Sequence, residues 1–179
     1  MADSDGFTMG EGGGILLLKP FELALRDGDK ILARITGIGL SSDGVPGALT
    51  MPDAQGQELA LRRCFEMSGF EPESVQYIEG HGTGTAIGDA IELNLLTRVF
   101  ASAGAGKIAL GSVKSHIGHL KSAAGMASLI KTALALNNRA LPPAWIEGRQ
   151  HPVLSAPGCP LKLLPKQRPW RRNGFMPRR

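Results

Sequence analysis

The spacing of apolar and polar positions changes several times along the chain, and each change marks an element. Turn residues in "DGFTMGEGGG" lead into the apolar run Ile15 to Leu18 before Pro20, the pattern of a buried strand entered through glycines. "FELALRDGDK" predicts a short helix ended by Asp27-Gly28, and "ILARITGIGLSS" predicts a second, largely buried strand. After the loop "SDGVPGALTMPDAQ", a helix is expected from near Asp53 to Gly69, with Leu59, Leu61, Cys64, Phe65 and Met67 as its apolar positions.

"VQYIEGHGTGT" reads as a strand running into a glycine-rich loop. The helix that follows, "GDAIELNLLTRVF", places Asp89 and Glu92 in its first turn, where the helix dipole favours acids. "KIALGSVKS" predicts another strand, and Gly118 to about Asn137 a long helix whose Ala123, Ala124, Gly125 and Ala127 permit close packing; Leu141-Pro142-Pro143 stops it. The remainder is proline-rich and is expected to run over the surface, with one short strand around Leu161 to Leu164. Strands alternating with helices place the chain in the α/β class with a largely parallel sheet. No internal repeat or low-complexity tract interrupts the pattern.

Composition narrows the reading. A chain of 179 residues has room for one domain and a tail. The 42% apolar and 20% charged residues are those of a globular protein. There is no run of ~18 apolar residues for a membrane span, and no basic N-terminal region of a secretory signal, so the expected location is the cytoplasm. Cys64 and Cys159 have no metal-type or disulfide-framework spacing. The net charge of +4 owes much to "KQRPWRRNGFMPRR", which has Lys166, Arg168, Arg171, Arg172, Arg178 and Arg179 and no acid. A solvated tail is preferred to a nucleic-acid arm, because basic binding segments normally sit on a folded patch.

Two loops carry candidate chemistry. His81 leaves a predicted strand in "EGHGTGT", and ligands of open α/β sheets gather outside such strand ends. Its glycines allow backbone to approach a ligand, and Thr83 and Thr85 supply hydroxyls; a tight turn carrying a surface histidine is the competing reading. "GSVKSHIGHL" has the same placement, so His81 and His119 can point into one cleft and exchange protons or donate to an oxyanion. A metal site would need His81, His116 and His119 together; Lys114 beside them and the lack of a ligand-spaced acid argue against it.

"ASAGAGKI" is not a phosphate loop, since Ala101 and Ile108 occupy its required Gly and Ser/Thr places. The glycines of "GEGGG" and "GIGLSSDG" lack the strand-to-helix context of a dinucleotide site. Cys64 falls inside a helical pattern and is expected to be buried and inert, and Cys159 has no base near it in sequence.

Taken together, "DGFTMGEGGGILLLK", "LTMPDAQGQ", "EGHGTGTAIGDAIE", "GSVKSHIGHLKSAAGMASLIK" and "LPP" resemble the β-ketoacyl synthases, the condensing enzymes of fatty-acid and polyketide assembly, and specifically the modular polyketide type. The resemblance implies an incomplete thiolase-like fold: residues 1–50 as the last strands of the first half, 51–143 as most of the second half, and 144–179 as a proline-rich basic linker, with the closing glycine-rich hairpin missing. Both sheets would then lack strands and expose apolar faces and edges to association.

The implied chemistry is decarboxylative Claisen condensation of acyl and malonyl-type thioesters. His81 and His119 match the catalytic histidines, Lys114 the lysine that sets the charge around them, and Thr83 and Thr85 the hydroxyls that hold phosphopantetheine. His116 departs from the family, which usually has Asn there. The family's nucleophilic cysteine lies upstream of "DGF", and neither Cys64 nor Cys159 matches it. No cofactor is expected to be bound by the chain itself, because phosphopantetheine arrives on an acyl carrier protein. The implied partners are that carrier and a complementary ketosynthase segment or a homodimer partner, with neither nucleic acid nor membrane. An inactive fragment, or a decarboxylase or assembly partner like a chain-length factor, is the alternative.

Overall fold

The computed structural model describes residues 2–42 and 53–171. The division expected between residues 50 and 51, and the tail arginines Arg172, Arg178 and Arg179, fall outside them. In chain order the elements are α1 (Phe21–Arg26), α2 (Ala54–Ser68), β1 (Tyr77–Glu79), α3 (Ala86–Val99), β2 (Ile108–Gly111), α4 (Lys114–Ile117), α5 (Ala124–Asn137), β3 (Ala140–Leu141), β4 (Leu161–Leu163) and β5 (Arg168–Pro169).

The local signals that place α2 are realised in its caps. The Asp53 carboxylate accepts the backbone N–H groups of Gln55 and Gly56 at 3.2 and 3.3 Å, satisfying two of the donors a helix start leaves open. Gly69 ends the helix at φ 68°, a left-handed position that suits glycine.

β1, β2 and β4 form a parallel sheet with β2 in the centre. Period-two alternation divides its side chains between two faces. Ile78, Ile108, Leu110 and Leu161 pack with Leu93 and Leu96 of α3 and with Phe100 just past its end, against which α2 brings Leu61 and Phe65. Tyr77 and Ala109 face the other way and pack with Leu164, Leu141 and Trp170. Lys131 of α5 reaches that second face, so both sides of the sheet are covered, as a parallel sheet requires. The crossovers between parallel strands leave the ends of β1 and β2 on the same side. The loops after Glu79 and Gly111 consequently emerge together.

Five expectations are corrected. Neither Ile15–Leu18 nor the stretch from Ile31 to Ser42 forms a strand, and both lie largely open to solvent, with Ile15 at 95% and Leu17 at 97% exposure. An apolar run favours burial but does not supply a pairing partner, and no strand among the described residues adjoins them. Close approach elsewhere fixes the path of the first: a Cβ at Gly10, Gly12 or Gly14 would strike Ile117, Leu120 or Ile130.

The long helix begins at Ala124 rather than Gly118. Gly118 has φ 75°, and the backbone of His119 is engaged elsewhere: its N–H donates to Thr8 and its carbonyl accepts from Gly10, at 2.8 and 3.2 Å. A residue bridged to another segment on both sides cannot join an α-helical ladder. The short helix α4 ends just before Gly118, and of the intervening residues Lys121–Ala123 form a single 3₁₀ turn.

The proline-rich remainder is not confined to the surface. Cys159, Pro160, Leu161 and Leu164 are buried, β5 pairs antiparallel with β3, and Trp170 packs 5.7 Å from Tyr77 while donating its Nε1–H to Gln76. Finally, Glu92 lies beyond the first turn of α3, where only Asp89 is found.

Candidate active site

The loop from Gly80 to Thr85 is clamped by acids of the helix that follows it. Glu92 accepts the backbone N–H groups of His81 and Gly82 at 2.7 and 2.9 Å, and Asp89 accepts that of Gly84 at 3.0 Å. Gly82 and Gly84 have φ of 45° and 73°, and a Cβ at Gly84 would lie 2.4 Å from the carbonyl oxygen of Gly6. Glycine is therefore required there by both conformation and space. Thr83 and Thr85 share a hydrogen bond of 3.2 Å between their hydroxyls.

The structure brings His81 and His119 together with their ring centroids 6.1 Å apart and the rings nearly perpendicular. Phe7 packs on the His119 ring at 4.7 Å. His119 Nδ1 accepts the backbone N–H of Lys121 at 3.0 Å, so in the neutral imidazole the proton belongs on Nε2. Burial, aided by the positive charges of Lys114, Lys121 and His81, holds the His119 pKa below its ordinary value. The ring is thus biased towards a neutral species with one N–H to donate.

Lys114 opens α4 and is 9% exposed. Burial lowers its pKa, partly offset by the negative charges of Glu92 and Glu79. Among the described residues no carboxylate forms an ion pair with it. A cavity of about 900 Å³ opens on the Lys114 side, with Thr83, Ser112, Lys114, His116 and Trp145 in its wall; the rings of His81 and His119 stand outside that wall.

His116 is exposed, with Nδ1 3.1 Å from Ser115 Oγ and 3.4 Å from Ser112 O. Among the described residues no group of three His, Cys, Asp or Glu side chains is arranged to hold a metal ion. Cys159 is buried in the α3 face of the core, and Cys64, expected to be buried, is only half-buried on α2.

Three participants were not singled out by sequence: Glu79, Lys131 and the clamp role of Glu92. The Glu79 side chain is 7% exposed and accepts from Lys131 Nζ at 2.8 Å, from the Tyr77 hydroxyl and from the backbone N–H of Val113. The available signal was a lone charge inside each apolar element, Glu79 in "YIEG" and Lys131 in "SLIKTALAL".

Residues 32–145 match the model of the β-ketoacyl synthase C-terminal domain. The chain is 49% identical over 144 residues to the polyketide synthase ThaG of Burkholderia thailandensis, an alignment covering 78% of this chain and 3% of that protein. It is 36% identical over 172 residues to the highly reducing polyketide synthase srdA of Neurospora crassa, covering 96% and 7%. Among solved structures, the ketosynthase from module 6 of the Bacillus subtilis bacillaene synthase superposes with a TM-score of 0.89 at 38% identity, covering 98% of this chain and 33% of that one. The ketosynthase from module 1 of the Bacillus amyloliquefaciens bacillaene synthase gives 0.88 at 35%, covering 97% and 33%. The fold is thus part of the thiolase-like ketosynthase fold, and the chain spans about a third of those ketosynthases and a small fraction of the curated relatives. From its matched residues and its architecture, this chain belongs to the β-ketoacyl synthase family, with residues 32–145 matching that family's C-terminal domain.

Proposed function

We propose that this chain supplies the decarboxylating face of a β-ketoacyl synthase acting in polyketide or fatty-acid assembly. The observation that carries the reading is the pairing of His81 and His119 at 6.1 Å beside the buried ammonium of Lys114. Loss of carbon dioxide from a malonyl-type thioester leaves its electron pair on an enolate, whose oxygen gains negative charge. His119 Nε2–H and the His81 ring are the donors proposed for that oxygen, and donors aimed at developing charge are where such sites gain most of their rate. Lys114 keeps the local potential positive around the enolate oxygen as neutral carbon dioxide leaves.

The substrate is read as a thioester on the phosphopantetheine of an acyl carrier protein, with Thr83 and Thr85 bonding the arm. In the complete reaction the enolate carbon attacks an acyl thioester, forming the new carbon–carbon bond and expelling the acyl group's thiolate. Neither Cys64 nor Cys159 is assigned that thiolate; a complementary ketosynthase segment is proposed to supply it, and a homodimer partner, which brings the same two cysteines, is proposed for assembly alone. The domain division at 50/51 and 143/144 and a cytoplasmic setting belong to the same reading. The buried position of Cys159 favours, as a second reading, a decarboxylating or assembly piece without condensation.

Carbon dioxide release from malonyl-carrier by the unaltered chain tests the first reading. His81→Ala or His119→Ala should each reduce it by about 100-fold or more. Absence of release from the unaltered chain would overturn it, and condensation upon addition of a complementary cysteine-bearing ketosynthase segment would separate it from the second.

A further inference from the structure

Two lysines stand near one buried carboxylate, and only one of them is paired with it. Glu79 ends β1, and its side chain is 7% exposed, with that of Lys131 at 16%. One carboxylate oxygen takes the Lys131 ammonium at 2.8 Å and the Tyr77 hydroxyl; the other takes the backbone N–H of Val113, the residue directly before Lys114. Burial, and then the hydrogen bond to and charge of Glu79, raise the Tyr77 pKa, so the phenol stays a donor. Gly111 leaves room for the pair, since a Cβ there would lie 2.5 Å from the Tyr77 oxygen and 3.3 Å from Lys131 Nζ.

We propose that Glu79 and Lys131 are positioning residues for Lys114: Lys131 occupies the carboxylate, which then fixes the start of α4 through Val113 without capturing the Lys114 ammonium. This rests on the reading of the histidine–lysine face as the decarboxylation site. A buried carboxylate deprived of its partner is strongly destabilised and takes the nearest cation available. The charged groups facing Lys114 are Glu79 from β1, Glu92 from α3 and His119 from the loop after α4, with Lys131 of α5 paired to Glu79. With Lys131 removed, Lys114 is the cation left to neutralise Glu79, and it would be withdrawn from the cavity.

The test is titration of Lys114 in the full chain by lysine ¹³Cε NMR, its signal assigned with K114R. In K131M the freed carboxylate should tighten proton binding at Lys114, and in E79Q the stranded Lys131 cation should weaken it, each by about tenfold. E79Q/K131M, which keeps an amide oxygen for Val113 and removes both charges, should return to the parent value, as should K131R. A purely structural role would not give opposite signs in the two single variants. Shifts of one sign, or none, overturn the inference; should K131M fail to fold, an unchanged Lys114 in E79Q or a displaced one in the double variant does so. Malonyl-carrier decarboxylation should fall in both single variants and recover in the double. No decarboxylation by the parent would count against the proposed function alone, because the titration needs no turnover.

Discussion

Glu92 stands eleven residues beyond His81, yet its carboxylate holds the backbone N–H of His81 at 2.7 Å and that of Gly82 at 2.9 Å. The helix following the glycine loop thus reaches back and sets the loop that presents the histidine. Charge-assisted bonds of this kind contribute more than neutral ones. Glu92→Ala should cost about 2 kcal/mol, seen as a lower urea midpoint with an unchanged slope. It should also speed amide exchange at His81 and Gly82; protection equal to the parent's at both amides would contradict the clamp.

The His119 environment predicts a pH dependence of stability. Its folded pKa is depressed by burial and by the charges of Lys114, Lys121 and His81. On acidification the unfolded chain, with an ordinary imidazole, binds its proton first, so the unfolded state is favoured. The stabilising difference is present above the ordinary histidine range and is lost as pH falls towards the lower folded value. His119→Gln should flatten the urea midpoint across that window, and Lys114→Met should move the His119 titration upward in NMR. A His119 titration unmoved by Lys114→Met would show that the cation does not act on it.

Much of the fold was legible because its signals are local. Asp53 and Gly69 bracket α2, and alternation around Tyr77, Ile78 and Ala109 marks strands buried on both faces. Ile15–Leu18 misled because hydrophobicity reports the demand for burial, not the presence of a partner strand. The start of α5 was hidden by a bridge to Met9, more than a hundred residues away. In the site, His81 and His119 were legible from glycine loops at strand ends. Glu79 and Lys131, separated by 52 positions, meet only through the packing of α5 on the sheet.

Gly39 illustrates a contact that only packing reveals. An added Cβ would lie 1.7 Å from the carbonyl oxygen of Ala60 and 2.8 Å from the backbone N of Cys64, both in α2. Neither can move without disturbing the helix, so Gly39→Ala should destabilise by about 2 kcal/mol or push the segment off α2. Gly125→Ala is the contrasting substitution: nothing lies within 4 Å of its added Cβ, and a helical glycine replaced by alanine gains about 0.5 kcal/mol. Thermal unfolding of the two variants should therefore shift in opposite directions.

Ile15 and Leu17 project almost fully into solvent, at 95% and 97% exposure, while Leu16 between them is half-buried. Two aliphatic side chains on one face of a segment with no neighbouring strand among the described residues form an adhesive edge. The parent chain is expected to associate as concentration rises. Ile15→Ser/Leu17→Ser removes the apolar pair without touching the core, so its circular dichroism should match the parent's while its weight-average mass in sedimentation stays closer to that of one chain. Indistinguishable association of the two proteins would place the contact elsewhere, with Leu32, Ile35, Ile38 and Leu40, each at least 41% exposed, as the remaining apolar face to alter.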